Sequence, residues 1–346
     1  MNKTNMSAYG LCARYDAASK EYTTGRILSQ EKGIYTLISE NGENLAEVSG
    51  KFLYNAKCPA DFPAVGDFVA VTLPDTESRA VIHSVFPRKS AIVRRAAGTD
   101  NARQIVAANI DTVFICMSLN NDFNVRRLER YLSVVWDGGA NAVIVLTKSD
   151  LCHDIEKYKN EVDKVSFGAD IIVTTSEDDS CKKLLPYIGF GKTASFIGSS
   201  GVGKSTLINR LLGEKRLETN GLRNDDKGRH TTTRRQLFLL DGGGMVIDTP
   251  GMRELGLWDA DSGLDQSFSD IKKLSEMCRF SDCTHTNEPH CAVLESISNG
   301  TLSKERLMSY KKLIAENEYS ENADEYTAKK KLKFKDIAKI NKNRRK

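Results

Sequence analysis

The chain has 346 residues, 40% hydrophobic and 28% charged, a balance that supports two or three cored domains and excludes collagenous, mucin-like and wholly disordered chains. No run approaches the ~18–20 apolar residues a membrane span needs, and the opening MNKTNMSAYG lacks the apolar stretch of a secretory signal, so a cytoplasmic protein is expected. The net charge of +4 is uneven: residues 327–346 carry eight Lys and two Arg against one Asp, or +9, leaving −5 on the rest. Such a block suits a solvated tail or a polyanion contact.

In chain order, the first ~90 residues read as β. Ile34–Ile38 and Leu45–Val48 flank Asn41-Gly42, a hairpin signal that places both turn residues at positive φ. Further strands are predicted at Asp67–Leu73 and Ala80–Phe86, and about five short strands suggest a small barrel of OB type. From residue 110 strands alternate with helices. Thr112–Met117 and Ala142–Leu146 are unbroken apolar runs, as in strands covered on both faces. Helices follow each, one carrying Val125, Leu128, Leu132 and Val135, the next Ile155, Tyr158, Val162 and Val165. Strands at Ile171–Val173 and Ala194–Ile197, a helix at Ser205–Leu212, and strands at Gln236–Leu240 and Met245–Asp248 complete a doubly wound α/β domain. Beyond residue 262 only helical patterns remain.

Three segments of the α/β region carry chemistry. Gly198-Ser199-Ser200-Gly201-Val202-Gly203-Lys204-Ser205 matches G-x-x-x-x-G-K-[ST] between a strand and a helix. Its glycines let successive N–H groups point at phosphate oxygens, Lys204 reaches the β- and γ-phosphates, and the Ser205 hydroxyl can ligate Mg²⁺. Asp248-Thr249-Pro250-Gly251 ends a strand, where Asp248 can hold the metal through water and the Gly251 N–H can sense the γ-phosphate. Thr147-Lys148-Ser149-Asp150 ends another. There the Lys148 stem can stack on a purine, and the Asp150 carboxylate can accept from guanine N1 and N2, a donor pair adenine does not offer. A GTPase is therefore favoured over an ATP-dependent enzyme.

The motif order is shuffled, because Asp150 precedes Gly198 and Gly198 precedes Asp248. A circular permutation accounts for this without altering the site. Gly228-Arg229-His230-Thr231-Thr232-Thr233 falls where the first switch belongs, and Thr232 is the candidate to complete the Mg²⁺ shell. Met252 stands where many GTPases carry a water-orienting Gln, so slow intrinsic hydrolysis is expected, with His230 or a partner as the orienting group. The predicted catalytic residues are His230, Lys204 and Thr232.

Of eight cysteines, Cys12, Cys58, Cys116, Cys152 and Cys181 are isolated and are expected to be small buried hydrophobes. Cys278, Cys283 and Cys291 surround His285, three thiolates and an imidazole that suit one structural Zn²⁺. His290 is an alternative ligand to His285.

Together, TKSD (147–150), GSSGVGKST (198–206), GRHTTT (228–233), DTPGMRELGLW (248–258) and CRFSDCTHTNEPHC (278–291) resemble the ribosome-small-subunit-dependent GTPase A family over nearly the whole chain. The resemblance implies an OB-fold at 1–92, a circularly permuted GTPase domain at 93–262 and a helical zinc-binding domain with the basic tail at 263–346. It implies Mg²⁺-dependent hydrolysis of GTP to GDP, stimulated by the small ribosomal subunit during late maturation of that subunit. Thr147, Lys148, Ser149 and Asp150 would read guanine. Gly198 to Thr206 would hold phosphates and Mg²⁺, and Cys278, Cys283, His285 and Cys291 would bind zinc. Thr147 stands where Asn is common among GTPases, and Thr174-Thr175 is expected to offer backbone N–H groups to the base. The rRNA contact that the resemblance implies has physical support, since a barrel, a zinc knot and a basic tail are elements that commonly meet nucleic acid. A monomer without membrane contact is expected. The competing reading is a nucleic-acid-binding scaffold that uses GTP only as a conformational ligand.

Overall fold

The structure, a computed structural model, describes residues 3–15, 21–74, 78–95, 103–214, 216–217, 235–249 and 267–321. The chain divides into two units, Met1–Gly256 and Leu257–Lys346.

The first unit begins with a closed five-stranded barrel. Its strands are β1 (Thr23–Glu31), β2 (Ile34–Ser39), β3 (Gly42–Val48), β4 (Phe68–Thr72) and β5 (Ala80–Val85). They pair in the order β1-β2-β3-β5-β4, and β4 closes on β1. The β3–β5 pair is parallel and the others antiparallel. Ile27, Tyr35, Leu37, Ala46, Val69, Val71, Ala80 and Ile82 fill the interior, as alternation along half-buried strands requires. A short helix, α1 (Gly50–Asn55), follows β3 and is capped by the Ser49 hydroxyl, which accepts from the Phe52 N–H.

Two details differ from expectation. The β2–β3 register pairs Ser39 with Gly42, so Glu40 and Asn41 form the turn and Gly42 closes it. Of these three, only Gly42 has positive φ. Ser39 decides this, its hydroxyl accepting from the Asn41 N–H and donating to the Gly42 carbonyl. The turn with two positive-φ residues lies instead at Lys32-Gly33, between β1 and β2. The second difference is β1 itself, which lacks an apolar alternation and carries Arg26 at 1% exposure.

A hairpin of β6 (Ala91–Arg95) and β7 (Arg103–Ala108) follows the barrel. Gly66 meets it so closely that a Cβ there would lie 2.2 Å from the Ala108 carbonyl oxygen. The α/β sheet then comprises β8 (Thr112–Ser118), β9 (Asn141–Thr147), β10 (Asp170–Val173), β11 (Thr193–Ile197), β12 (Gln236–Leu239) and β13 (Met245–Asp248). Their spatial order is β10-β9-β8-β11-β13-β12, with all pairs parallel except β12–β13. The chain thus runs from the middle of this sheet out to β10, returns to the middle at β11, passes to β12 and finishes at β13, between β11 and β12. Helices α2 (Val125–Asp137), α3 (Ile155–Ser166) and α4 (Lys204–Leu212) follow β8, β9 and β11.

Barrel and sheet are joined by the Ser29–Gln236 pairing of β1 with β12 and by Arg26. The Arg26 guanidinium donates to the Thr193 hydroxyl at 2.8 Å, to Met245 Sδ at 3.0 Å and to the Gly66 carbonyl at 3.3 Å, and lies over the Phe68 ring. Burial lowers its pKa to about 10, which still leaves it charged at neutral pH.

In the second unit, α5 (Ser269–Ser275), α6 (Ala292–Ser298) and α7 (Lys304–Glu321) surround buried Phe268, Ile271, Val293, Leu307 and Leu313. Arg306 clamps Asp270 through two bonds of 2.7 and 2.9 Å and covers the Phe268 ring. Among the isolated cysteines, Cys116 and Cys181 are buried, whereas Cys12 and Cys58 are exposed and Cys152 is intermediate. The two exposed thiols correct the expectation that all five would be core residues: both lie outside the barrel interior. No helix among the described residues is long and apolar enough to cross a membrane.

Candidate nucleotide site and metal centre

The C-terminal ends of β8, β9, β11 and β13 gather the predicted site residues onto one edge of the parallel sheet, where open α/β folds bind ligands. Gly198 leaves β11 with φ 143°, and a Cβ there would sit 2.4 Å from the Cys116 carbonyl oxygen. Backbone would have to move to admit it. Gly198→Ala is therefore expected to destabilise the protein by about 1–3 kcal/mol, read from the denaturant midpoint. An unchanged midpoint would contradict the close approach.

Gly203, in the left-handed region, leads into α4, and Lys204 opens that helix. The Lys204 ammonium donates to the Gly198 and Ser199 carbonyls at 2.8 and 2.6 Å, folding the side chain back across the loop. Ser200 and Gly201 are exposed, Val202 is buried, and Ser205 and Thr206 are half-buried in the first turn of α4. A loop of this form ending at a helix N-terminus is suited to an anion.

Asp248 stands at the end of β13. Burial raises its pKa to about 6, while Lys204 opposes the shift. An unfolded Asp loses its proton near 4, so between that pH and 6 the folded state holds more protons, and stability falls as pH rises. Without nucleotide or magnesium, Asp248→Asn is expected to gain roughly 2–3 kcal/mol at pH 7 and nothing at pH 4. A pH-independent difference between variant and parent would contradict the shift.

Thr147 ends β9. Its hydroxyl donates to the Val202 carbonyl at 2.6 Å, tying the guanine-type loop to the phosphate-type loop. The tether expected of an Asn amide is thus made by a hydroxyl. Lys148 then takes a left-handed conformation, φ 58°, which turns the chain so that Ser149 and Asp150 follow in a short 3₁₀ turn. Asp150 is exposed, and its Oδ1 accepts from the Thr175 hydroxyl at 2.6 Å. The N–H groups of Thr174 and Thr175, expected to face a base, are engaged by the Leu146 carbonyl and the Ser180 hydroxyl. The Thr175 side chain is the group of that segment that reaches Asp150. The sequence carried no signal for this, because β10 and the loop after β9 meet only in three dimensions.

His230, Thr232, Gly251 and Met252 lie outside the described residues, as does the tail 327–346.

In the second unit the ligand atoms of Cys278, Cys283, His285 and Cys291 lie within 4.8 Å of one another. Cys278 and Cys291 sulfurs are 3.8 Å apart, and His285 Nδ1 is 3.7 Å from the first and 3.4 Å from the second. A tetrahedron with Zn–S near 2.3 Å has edges of about 3.8 Å, so the donor set fits zinc. His290 is exposed and outside this set. Its carbonyl instead accepts from the Arg279 N–H. Glu288 pins the loop that carries His285, accepting from the N–H groups of Thr284, Thr286 and Asn287 and from the Thr284 hydroxyl; the hydroxyl bond, then the Thr286 N–H, hold its carboxyl well below the usual range. Burial, then Lys311, lowers the His285 pKa and favours the neutral, ligating ring. Lys311 also donates to the His285 carbonyl at 2.8 Å.

The family model described as RsgA GTPase matches residues 85–258. Over 320 residues the chain is 50% identical to the "Small ribosomal subunit biogenesis GTPase RsgA 2" of Lactiplantibacillus plantarum, covering 91% of this chain and 90% of that protein. The chain belongs to the RsgA GTPase family. The crystal structure of YjeQ from Thermotoga maritima is 29% identical and superposes with a TM-score of 0.62, over 84% of this chain and 97% of that one. The structure of YloQ, described as a circularly permuted GTPase, gives 0.60 at 24% identity, over 87% and 96%. The strand order of the sheet and the shuffled motifs are thus those of a circularly permuted RsgA GTPase.

Proposed function

We propose that this RsgA GTPase binds GTP with Mg²⁺, hydrolyses it to GDP, and acts as a maturation factor of the small ribosomal subunit in the cytoplasm. The observation that carries the reading is the 2.6 Å bond from Thr147 to Val202, which ties a Lys-x-Asp loop to a phosphate-type loop at one sheet edge. In this reading Thr147, Lys148, Ser149 and Asp150 read the base, and Gly198 to Thr206 cradle the phosphates. Ser205 and Thr232 ligate Mg²⁺, with Asp248 acting through water and Gly251 sensing the γ-phosphate. Mg²⁺ would neutralise the charge that develops between the β- and γ-phosphates. Lys204 stabilises the same charge, and His230 orients the attacking water.

The domains are assigned as barrel 1–92, GTPase 93–262 and zinc domain 263–346. One structural Zn²⁺ is held by Cys278, Cys283, His285 and Cys291. The rRNA contact is assigned to the barrel, the zinc domain and the tail of a monomer. The relatives' names, which describe small-ribosomal-subunit biogenesis, support this partner. Hydrolysis measured with and without small subunits tests the reading. Stimulation by orders of magnitude is expected, and its absence would favour the scaffold alternative. Deleting residues 327–346 should flatten the salt dependence of co-sedimentation with the subunit, because log affinity falls with log salt in proportion to the phosphates contacted.

A further inference from the structure

The loop between β8 and α2 sits beside the phosphate-type loop and carries an ion pair that the proposed reaction does not use. Ser199, second in that loop, donates its hydroxyl to Asp122 Oδ2. The same oxygen pairs with Arg127 Nη2 at 2.9 Å, and this nitrogen also donates to the Asp122 carbonyl. The loop itself is held in place. Asn120 Oδ1 accepts from the Ser118 hydroxyl and the Asp122 N–H, Asn124 caps α2 by accepting from the Arg127 N–H, and the Leu119 N–H donates to the Thr147 carbonyl. One rigid element therefore braces both halves of the site. Arg127 Nε and the Tyr131 hydroxyl, one helical turn apart on α2, are buried and have no partner among the described residues. A packing choice made for stability alone would pair them.

The arrangement sets a carboxylate one hydrogen bond from a loop built for a polyanion. Left alone, that charge would oppose the nucleotide, and more strongly the more phosphates it carries. Arg127 cancels it.

We propose that Asp122 and Arg127 form a charge-balanced latch on the phosphate loop, in which Asp122 is a positioning residue acting through Ser199 and Arg127 sets how strongly triphosphate is preferred to diphosphate. The inference rests on the proposed GTP binding. Removing Arg127 leaves Asp122 uncompensated, so the loss must grow with ligand charge. Removing the Asp122 charge as well must restore affinity. A role in folding alone would weaken GTP and GDP equally, and no second substitution would repair it.

The test is titration of the full-length protein with fluorescent GDP and GTP analogues, run on parent, Arg127→Ala, Asp122→Asn and the double variant, with thermal midpoints as a folding control. Arg127→Ala should weaken GTP about tenfold, and at least about threefold more than GDP, for a unit charge at this range in a partly screened site. The double variant should recover most of that loss. Asp122→Asn, which keeps an acceptor for Ser199, should bind GTP at least as well as the parent. Equal losses for GDP and GTP in Arg127→Ala, or no recovery in the double variant, overturn the latch. If the parent binds neither nucleotide, the nucleotide reading fails instead, and the two failures are distinct. Should Arg127→Ala not fold, Arg127→Lys decides: keeping the charge without the forked donors, it should retain the parent's GTP-to-GDP ratio, and a lost ratio counts against the proposal.

Discussion

Asp150→Asn is expected to lower GTP affinity roughly 10²–10³-fold, from losing about 3–4 kcal/mol of charge-assisted hydrogen bonding. A carboxylate presents acceptors to both guanine N1–H and the 2-amino group. An amide presents one acceptor and one donor, and the donor opposes the 2-amino hydrogen. Xanthine carries a carbonyl at that carbon, so the amide matches it, and affinity should move to xanthosine nucleotides. The swap leaves an Oδ1 able to accept from the Thr175 hydroxyl, 2.6 Å away in the parent, so the loop keeps its support. Fluorescence titration with guanosine and xanthosine nucleotides checks both halves. GTP binding within about threefold of the parent, an energy below ~1 kcal/mol, would remove Asp150 from base recognition.

The second large effect concerns the cysteine–histidine cluster. Cys283→Ser is expected to abolish stoichiometric zinc binding and unfold residues 267–321, since a structural zinc contributes on the order of 10–16 kcal/mol of apparent folding energy in small domains. Two local facts make this unit dependent on the cluster. Cys291 is both a ligand candidate and the N-cap of α6, its sulfur accepting from the Leu294 N–H at 3.5 Å. The loop carrying His285 folds on Glu288 and Lys311, contacts with polar groups rather than a core. Metal analysis and limited proteolysis provide the readouts. Guanosine nucleotide binding should stay within about threefold, because the residues assigned to it lie in the first unit with its own core. A Cys283→Ser protein that resists protease as the parent does would show that zinc is not what holds this segment.

Much of the site was legible because its chemistry is written in contiguous residues. The phosphate loop needs glycines where backbone must turn inward, and the Gly198 approach to Cys116 is the physical form of that need. Thr147 to Asp150 and the Cys-His cluster are likewise local runs. Asp122 and the side-chain contact of Thr175 were not legible. Each acts through a partner from another strand, Asp150 in one case and Ser199 in the other. In sequence Asp122 looks like an ordinary loop residue, and Thr175 offers only its backbone N–H.

The same division holds for the fold. Apolar runs marked β8 and β9, because strands covered on both faces are built mainly from apolar side chains. Strand β1 was not marked, because it carries a charged Arg26 whose burial becomes affordable only when Thr193, Met245, Gly66 and Phe68 converge on it. The turn between β2 and β3 shifted by one residue because the Ser39 hydroxyl competes for Asn41 and Gly42. The sequence by itself determined the strand–helix alternation, the shuffled motif order, and the residue types able to hold a triphosphate, a guanine and a zinc. Only the tertiary structure decided that the barrel continues into the α/β sheet through Ser29 and Gln236, and that Asp122 and Arg127 brace the phosphate loop. Backbone turns and apolar periodicity depend on near neighbours in the chain. Pairings between distant charges and strand edges depend on which surfaces remain when the core closes.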